Sequence, residues 1–167
     1  YKSNKFNYPL LNIGFNAEDK LLLGVGFNIT TQGFRKEPFA SNHRFSSLFA
    51  INRGAFQGKY EGIFNKVIGK NDLIITGTMV SPTLNNFFGF GNESSTNKSL
   101  PISYYRVRFK YAQGELLLRK RINEILHVSL GATYYHYWND INDNKNRIIN
   151  NPAFTGIDTA GLYARKN

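Results

Sequence analysis

The feature that most constrains the fold of this chain is an alternation of apolar and polar residues with a period of two. Between Leu21 and Gln32, five of the six odd positions are apolar, whereas only one of the six even positions is. Successive side chains of a β-strand point to opposite faces of the sheet. The pattern therefore predicts a strand with one apolar and one polar face.

The same alternation recurs along the chain and predicts a series of antiparallel strands. It is clear at residues 11–16, 56–65, 105–111 and 126–138, and weaker at 43–53 and 73–81. Short turn sequences separate most of these segments, which is typical of a meander. Two longer connections are predicted at about 82–103 and 139–156. We expect seven strands and the start of an eighth near 157–165, and helical periodicity persists nowhere.

Strand length and the makeup of the polar positions favour a membrane barrel over a soluble one. Several predicted strands reach ten residues, and a tilted strand needs about 9–11 residues to cross a bilayer. The polar positions are rich in Gly, Ser, Thr and Asn, whereas a solubilising surface usually favours Lys and Glu. In a membrane barrel the apolar face meets lipid and the polar face meets the lumen. Aromatic residues near strand ends, such as Tyr134 and Trp138, fit an interfacial belt.

This orientation assigns two sets of residues. We expect the apolar set to face lipid: Leu21, Leu23, Val25, Phe27, Ile29, Phe56, Tyr60, Val107, Phe109, Leu126, Val128, Leu130 and Trp138. We expect the charged set to face the lumen: Lys59, Glu61, Arg106, Arg108 and Lys110. Alternation alone also permits the inverse arrangement, a soluble or periplasmic β-barrel that binds a small apolar ligand.

The composition of the chain argues against several classes of structure and function. The longest apolar run is the four residues 48–51, so no membrane-spanning helix is predicted. The chain has no Cys, which excludes disulfides and thiolate metal sites. The net charge is +10, but the basic residues are scattered apart from Arg119, Lys120 and Arg121. We therefore predict no nucleic-acid partner, and favour an interfacial contact of these three residues with lipid phosphate.

One segment resembles a known family. Residues 85–94, which contain Phe87, Phe88, Gly89, Gly91 and Asn92, are similar to the aromatic-aromatic-Gly-x-Gly-Asn stretch of the bacterial surface-antigen barrels. This is the superfamily of BamA and TamA, in which the stretch follows the fifth strand. Residues 13–26 and 103–134 are similar to the same family, so the likeness covers nearly the whole chain.

The resemblance implies a sixteen-strand barrel in the bacterial outer membrane. This chain then corresponds to about seven to eight strands, the N-terminal half of that barrel. Residues 33–39 are most similar to a subgroup in which the barrel follows a calcineurin-like metallophosphoesterase domain. Any phosphoesterase activity is then expected in a domain outside this chain.

Candidate chemistry within the chain is weak. The sequence at 91–93 is similar to part of a metallophosphoesterase signature but lacks its His and its partner motifs. His43, His127 and His136 lie on three different predicted strands without metal-ligand spacing. Asp140 and Asp143 lie in an Asn-rich segment that lacks the Gly and Glu of an EF-hand, so a solvated loop is predicted.

We therefore predict an all-β antiparallel meander with a structural role and no enzyme activity, cofactor or metal. Its expected partners are outer-membrane lipid and, at the open edges of the sheet, further strands of the parent barrel or a partner chain.

Overall fold

The computed structural model describes residues 4–16, 19–52, 54–89 and 97–151. Its strands are β1 (Asn4–Asn16), β2 (Lys20–Gly33), β3 (Lys36–Ala50), β4 (Phe56–Ile68), β5 (Asn71–Asn86), β6 (Arg106–Arg121) and β7 (His127–Trp138). Two short 3-10 helices span Ile102–Tyr105 and Ile148–Asn150. The predicted all-β architecture is confirmed.

The seven strands form one sheet in chain order, from β1 to β7. The antiparallel registers pair Phe27 with Phe45, and Phe45 in turn with Tyr60. This is the predicted antiparallel meander. Within the described residues, the order ends at β1 and at β7. The eighth strand predicted near 157–165 lies outside the described residues.

Several strands are longer than the sequence pattern predicted, and β5 and β3 are two of them. β5 was predicted at 73–81 but continues to Asn86, past Pro82. β3 was predicted from residue 43 but begins at Lys36, which pairs with Gly33. Neither extension alternates regularly, and proline cannot donate a ladder hydrogen bond. Both strands are therefore extended by pairing with neighbouring strands, in segments where the alternation of apolar and polar residues predicts no strand.

The chain divides into two compact units. The first contains residues 1–80 and 112–136, and the second contains residues 81–111 and 137–167. Buried residues of the first unit include Asn42, Ala50, Ala55, Asn65, Asp72 and Val80. Buried residues of the second include Tyr105, Val107, Arg108, Asn144, Ile148 and Ile149. Polar side chains thus form a large part of the interior in both units.

A glycine in β2 lets β3 approach unusually closely. A Cβ atom on Gly24 would overlap the carbonyl oxygen of Ser47 and lie 2.9 Å from the Cα of Leu48. Beside this point, the Asn12 amide of β1 lies 3.5 Å from the Ser47 carbonyl oxygen. The Ser47 hydroxyl donates to the carbonyl oxygen of Val25 at 3.1 Å. The absence of a side chain at Gly24 therefore permits a contact that joins three strands.

Candidate functional site

The first four strands form a sheet with two chemically different faces. Directly paired residues of neighbouring strands lie on the same face, so the register assigns each side chain to one. One face carries Phe6, Leu11, Ile13, Phe15, Leu21, Leu23, Val25, Phe27, Ile29, Phe45, Phe49, Phe56, Tyr60 and Phe64. The other carries mainly polar or small residues, Asn12, Gly24, Gly26, Asn28, Thr30, Asn42, Arg44, Ser46, Gln57, Lys59 and Glu61, together with Leu10, Leu22, Leu48 and Ile63. We call these the apolar face and the polar face.

The apolar face is exposed over β1 and the first half of β2, unlike that of a water-soluble sheet, and the polar face is buried at Asn42 although Arg44, Gln57 and Lys59 are exposed. On the apolar face, Phe15 is 74% exposed, and Leu11 and Ile13 are exposed to a similar degree. On the polar face, Asn42 is only 8% exposed. Its amide nitrogen donates to Asn28 Oδ1 at 2.7 Å and to Thr30 Oγ1 at 2.8 Å. A soluble sheet packs its apolar face into a core and turns its polar face to water.

Aromatic side chains pack side by side across the apolar face. The ring centroids of Phe6 and Phe27 are 6.3 Å apart, and those of Phe27 and Phe45 are 5.2 Å apart. Next in this row, Tyr60 places its hydroxyl 2.9 Å from His43 Nδ1. His43 is therefore held by an aromatic neighbour. Within the described part of the chain, no group of three or more His, Cys, Asp or Glu could hold a metal ion.

Most of the residues predicted to face lipid are exposed or half-buried. Leu21, Leu23 and Val25 in β2 are exposed, as are Leu126, Val128 and Leu130. Phe27, Ile29, Phe56, Tyr60, Phe109 and Trp138 are half-buried. Val107 differs, because it is only 6% exposed. It lies in the part of β6 that belongs to the second unit, where residues 139–151 also fold.

The charged residues predicted to face the lumen lie in two settings. Lys59 and Glu61 are on the polar face of β4, and Glu61 lies directly opposite Arg44 of β3. In the second unit, Arg106 is half-buried and Arg108 is buried. Lys110 Nζ lies 3.1 Å from Asp143 Oδ2 and 3.7 Å from Asp140 Oδ2. Lys110 thus forms ion pairs with the segment after β7.

That segment is a loop in which Ile141, Asn142, Lys145 and Asn146 are exposed, but part of it is packed, which the sequence did not predict. Asn144 is fully buried; its Oδ1 accepts from the Arg108 amide at 2.7 Å, and its Nδ2 donates to the Arg108 carbonyl at 2.6 Å. Arg147 donates to the carbonyl oxygens of Ser103 and Arg106. Ile148 is also buried. An Asn side chain offers the same donor and acceptor as a peptide group, so this Asn-rich segment satisfies strand main chain without being a strand.

The ends of β4, β5 and β6 share a buried carboxylate that sequence reasoning missed. The Asp72 side chain is 2% exposed, and its Oδ2 lies 3.0 Å from Arg119 Nη2 and 2.8 Å from Arg121 Nε. Its Oδ1 accepts from the Lys66 amide at 3.1 Å. Arg121 also donates to Asn65 Oδ1 at 2.9 Å. Two of the three basic residues at 119–121 are therefore engaged on the polar side of the sheet.

The segment that resembles the surface-antigen barrels is described only in part. The Phe87 amide donates to the Tyr105 carbonyl oxygen at 2.7 Å, and the Phe88 ring lies 5.5 Å from the Tyr105 ring. Gly89 has a φ of +112°, a value that L side chains rarely adopt. Gly91 and Asn92 lie outside the described residues.

No family model, curated protein or solved structure matches the chain. The likeness to the surface-antigen barrels therefore stays a prediction. Among the described residues, no helix is both long enough and apolar enough to cross a membrane.

Proposed function

We propose that this chain is a lipid-embedded part of a β-barrel wall in the bacterial outer membrane, of the surface-antigen kind, with a structural role. The observation that supports this most directly is the exposed apolar face of β1 and β2, beside a polar face on which Asn42 is buried and hydrogen-bonded to Asn28 and Thr30. Exposed apolar surface of this extent is unfavourable in water and favourable against acyl chains. The proposal assigns no catalysis, cofactor or metal to the chain.

Strand length supports the same proposal. The strands contain 12 to 16 residues, whereas strands of soluble sheets usually contain about five or six. At about 3.3 Å per residue and a tilt of about 45°, such strands rise roughly 28–37 Å along the membrane normal. The apolar band of an outer-membrane barrel is about 25 Å tall, so each strand is long enough to cross it.

The proposed partners are lipid on the apolar face and further strands, from the parent barrel or another chain, beside β1 and β7. The alternative is a soluble barrel that binds a small apolar ligand, and its candidate binding site is a groove of about 490 Å³. Its lining includes Asn12, Gln57 and Lys59 beside Leu11 and Leu48. This mixed lining suits an apolar ligand poorly, so we favour the membrane proposal.

Site-directed spin labels test the orientation. Because the chain has no cysteine, Val25→Cys and Lys59→Cys each give a single labelling site, one on each face. In bilayers, we expect a label at Val25 to be relaxed by lipid-soluble oxygen and a label at Lys59 by a water-soluble nickel complex. The reverse pattern, or a chain that stays monodisperse without detergent, would refute the proposal.

Two adjacent arginine substitutions in β7 test the same orientation energetically. Val128→Arg should destabilise the embedded protein by about 2–4 kcal/mol, because it places a charge in lipid. Ser129→Arg places the charge on the opposite face and should cost clearly less. Urea unfolding in bilayers measures both, and equal effects would contradict the assigned faces.

A further inference from the structure

Three short connections lie at one end of the strands and are rich in basic residues. The β2–β3, β4–β5 and β6–β7 turns lie at the same end of the sheet because consecutive strands are antiparallel. All three belong to the first unit. We call their basic residues the basic rim: Arg35, Lys36, Lys66, Lys70, Arg119, Lys120 and Arg121. The acidic residues at this end are Glu37, Asp72 and Glu124.

Charge is concentrated at this end. Counted with three strand residues on either side, the three turns contain seven basic and three acidic residues, a net charge of +4 in 27 residues. The connections at the other strand ends, counted in the same way through residue 151, contain seven basic and five acidic residues. That is a net charge of +2 in 61 residues. The net positive charge per residue is therefore several times higher at the rim.

Apolar side chains are interleaved with these charges and are exposed. Ile125 is 95% exposed, and Phe34, Val67, Ile68 and Ile122 are also exposed. Turns that face bulk water usually carry small polar residues. Apolar residues next to lysine and arginine are instead characteristic of the headgroup region of a bilayer, where the apolar part enters the acyl boundary and the charge remains outside.

The rim charges are divided between the two faces of the sheet. Arg119 and Arg121 turn toward Asp72 on the polar side, as their ion pairs require. Lys120 lies between them in the strand and so points to the opposite, apolar side. Lys66 and Lys70 are exposed at the neighbouring turn, where Lys66 Nζ donates to the Arg35 carbonyl oxygen at 3.1 Å. These lysines are thus placed where an embedded sheet would meet lipid headgroups.

We infer that the basic rim binds the phosphate groups of anionic lipids at one surface of the membrane. This inference rests on the proposed function, because only an embedded sheet brings the rim to headgroup level. Anionic lipid fits the rim better than nucleic acid does. The exposed Phe34 and Ile125 have no counterpart to contact on a phosphate backbone, but they can enter the acyl boundary.

The test is lipid selectivity of the full chain in phosphatidylcholine vesicles. Trace spin-labelled phosphatidylglycerol is compared with spin-labelled phosphatidylcholine, and the fraction of each lipid immobilised by the protein is measured. The triple variant Lys66→Gln, Lys70→Gln, Lys120→Gln removes three rim charges. The matched control Lys20→Gln, Lys98→Gln, Lys145→Gln removes three exposed lysines from the connections at the other strand ends.

We expect the wild-type chain to select phosphatidylglycerol. A lysine near an anionic surface contributes a factor of about five at low salt, so the rim variant should lose about fivefold or more of this preference. The control should lose less than about twofold, and high salt should weaken the wild-type preference. Lys120→Gln alone should lose part of the preference. Because Lys120 is exposed, this single variant should fold normally, so it tests the inference even if the triple variant misfolds.

The outcomes separate the two proposals. A chain that does not embed in phosphatidylcholine at all refutes the proposed function. A chain that embeds but shows no selectivity, or loses it equally in the rim variant and the control, refutes only the basic rim.

Discussion

Replacing Gly24 by alanine should destabilise the protein by about 2–4 kcal/mol, because the main chain of β3 occupies the space of the new methyl group. The Cβ atom would overlap the Ser47 carbonyl oxygen and lie 2.6 Å from the Ser47 carbonyl carbon. It would also lie 2.9 Å from the Cα of Leu48. These atoms belong to the backbone, so rotation of a side chain cannot relieve the overlap, and β3 must move.

The magnitude follows from three contributions. Overpacking a tight site typically costs about 1–3 kcal/mol. Moving Ser47 also weakens its hydrogen bonds with Asn12 and Val25, each of which contributes about 0.5–1.5 kcal/mol. The smaller backbone entropy of alanine in the unfolded chain offsets about 0.5–1 kcal/mol.

The measurement is urea unfolding of the full chain in detergent micelles, followed by circular dichroism. Gly77→Ala in β5 is the matched control, because no atom lies within 4 Å of its built Cβ. We expect that control to be neutral or to stabilise by up to about 1 kcal/mol. Equal unfolding midpoints for the two variants would show that β3 does not approach β2 as described.

Two further substitutions test the polar clusters, one in each unit. Asp72→Asn should destabilise by about 2 kcal/mol, because two partly exposed arginines lose their carboxylate. The exposed Glu124→Gln should change the free energy of unfolding by less than about 0.5 kcal/mol, and similar values for both would contradict the cluster. Asn144→Ala removes both side-chain hydrogen bonds to the Arg108 main chain. It should accelerate hydrogen exchange of the Arg108 amide at least about tenfold, whereas exposed Asn142→Ala should leave that rate unchanged. An unaltered rate in the Asn144 variant would refute the packed loop.

The strand order was predictable because it depends on local pattern. The alternation from Leu21 to Ile29 placed the five apolar side chains at odd positions on one face, and the register confirms that they share it. Short turns then dictated antiparallel neighbours. Both signals are contained within one strand or one turn, so a single sequence reveals them.

The polar clusters were not predictable because they join residues distant in the chain. Asp72 and Arg121 are 49 positions apart, and Asn144 and Arg108 are 36 positions apart. Nothing in the local pattern at residues 139–151 distinguishes a packed loop from a solvated one, since Asn is common in both. The useful signal is the combination of strand register with the buried apolar pair Ile148 and Ile149, which only a three-dimensional arrangement supplies.

The remaining prediction concerns the edge formed by β7. In the described residues, this strand has β6 as its one neighbour, and all of its residues from His127 to Tyr137 are exposed. Within a bilayer, each unpaired main-chain group costs several kcal/mol, so an embedded β7 requires a second partner strand. We therefore expect hydrogen exchange in bilayers to protect both alternate sets of β7 amides, the set that pairs with β6 and the set that points away from it. If the amides that point away from β6 exchange as fast as in an unfolded chain while the protein is fully embedded, the prediction is contradicted. Such rates would show that this edge of β7 is exposed to water and has no second partner strand.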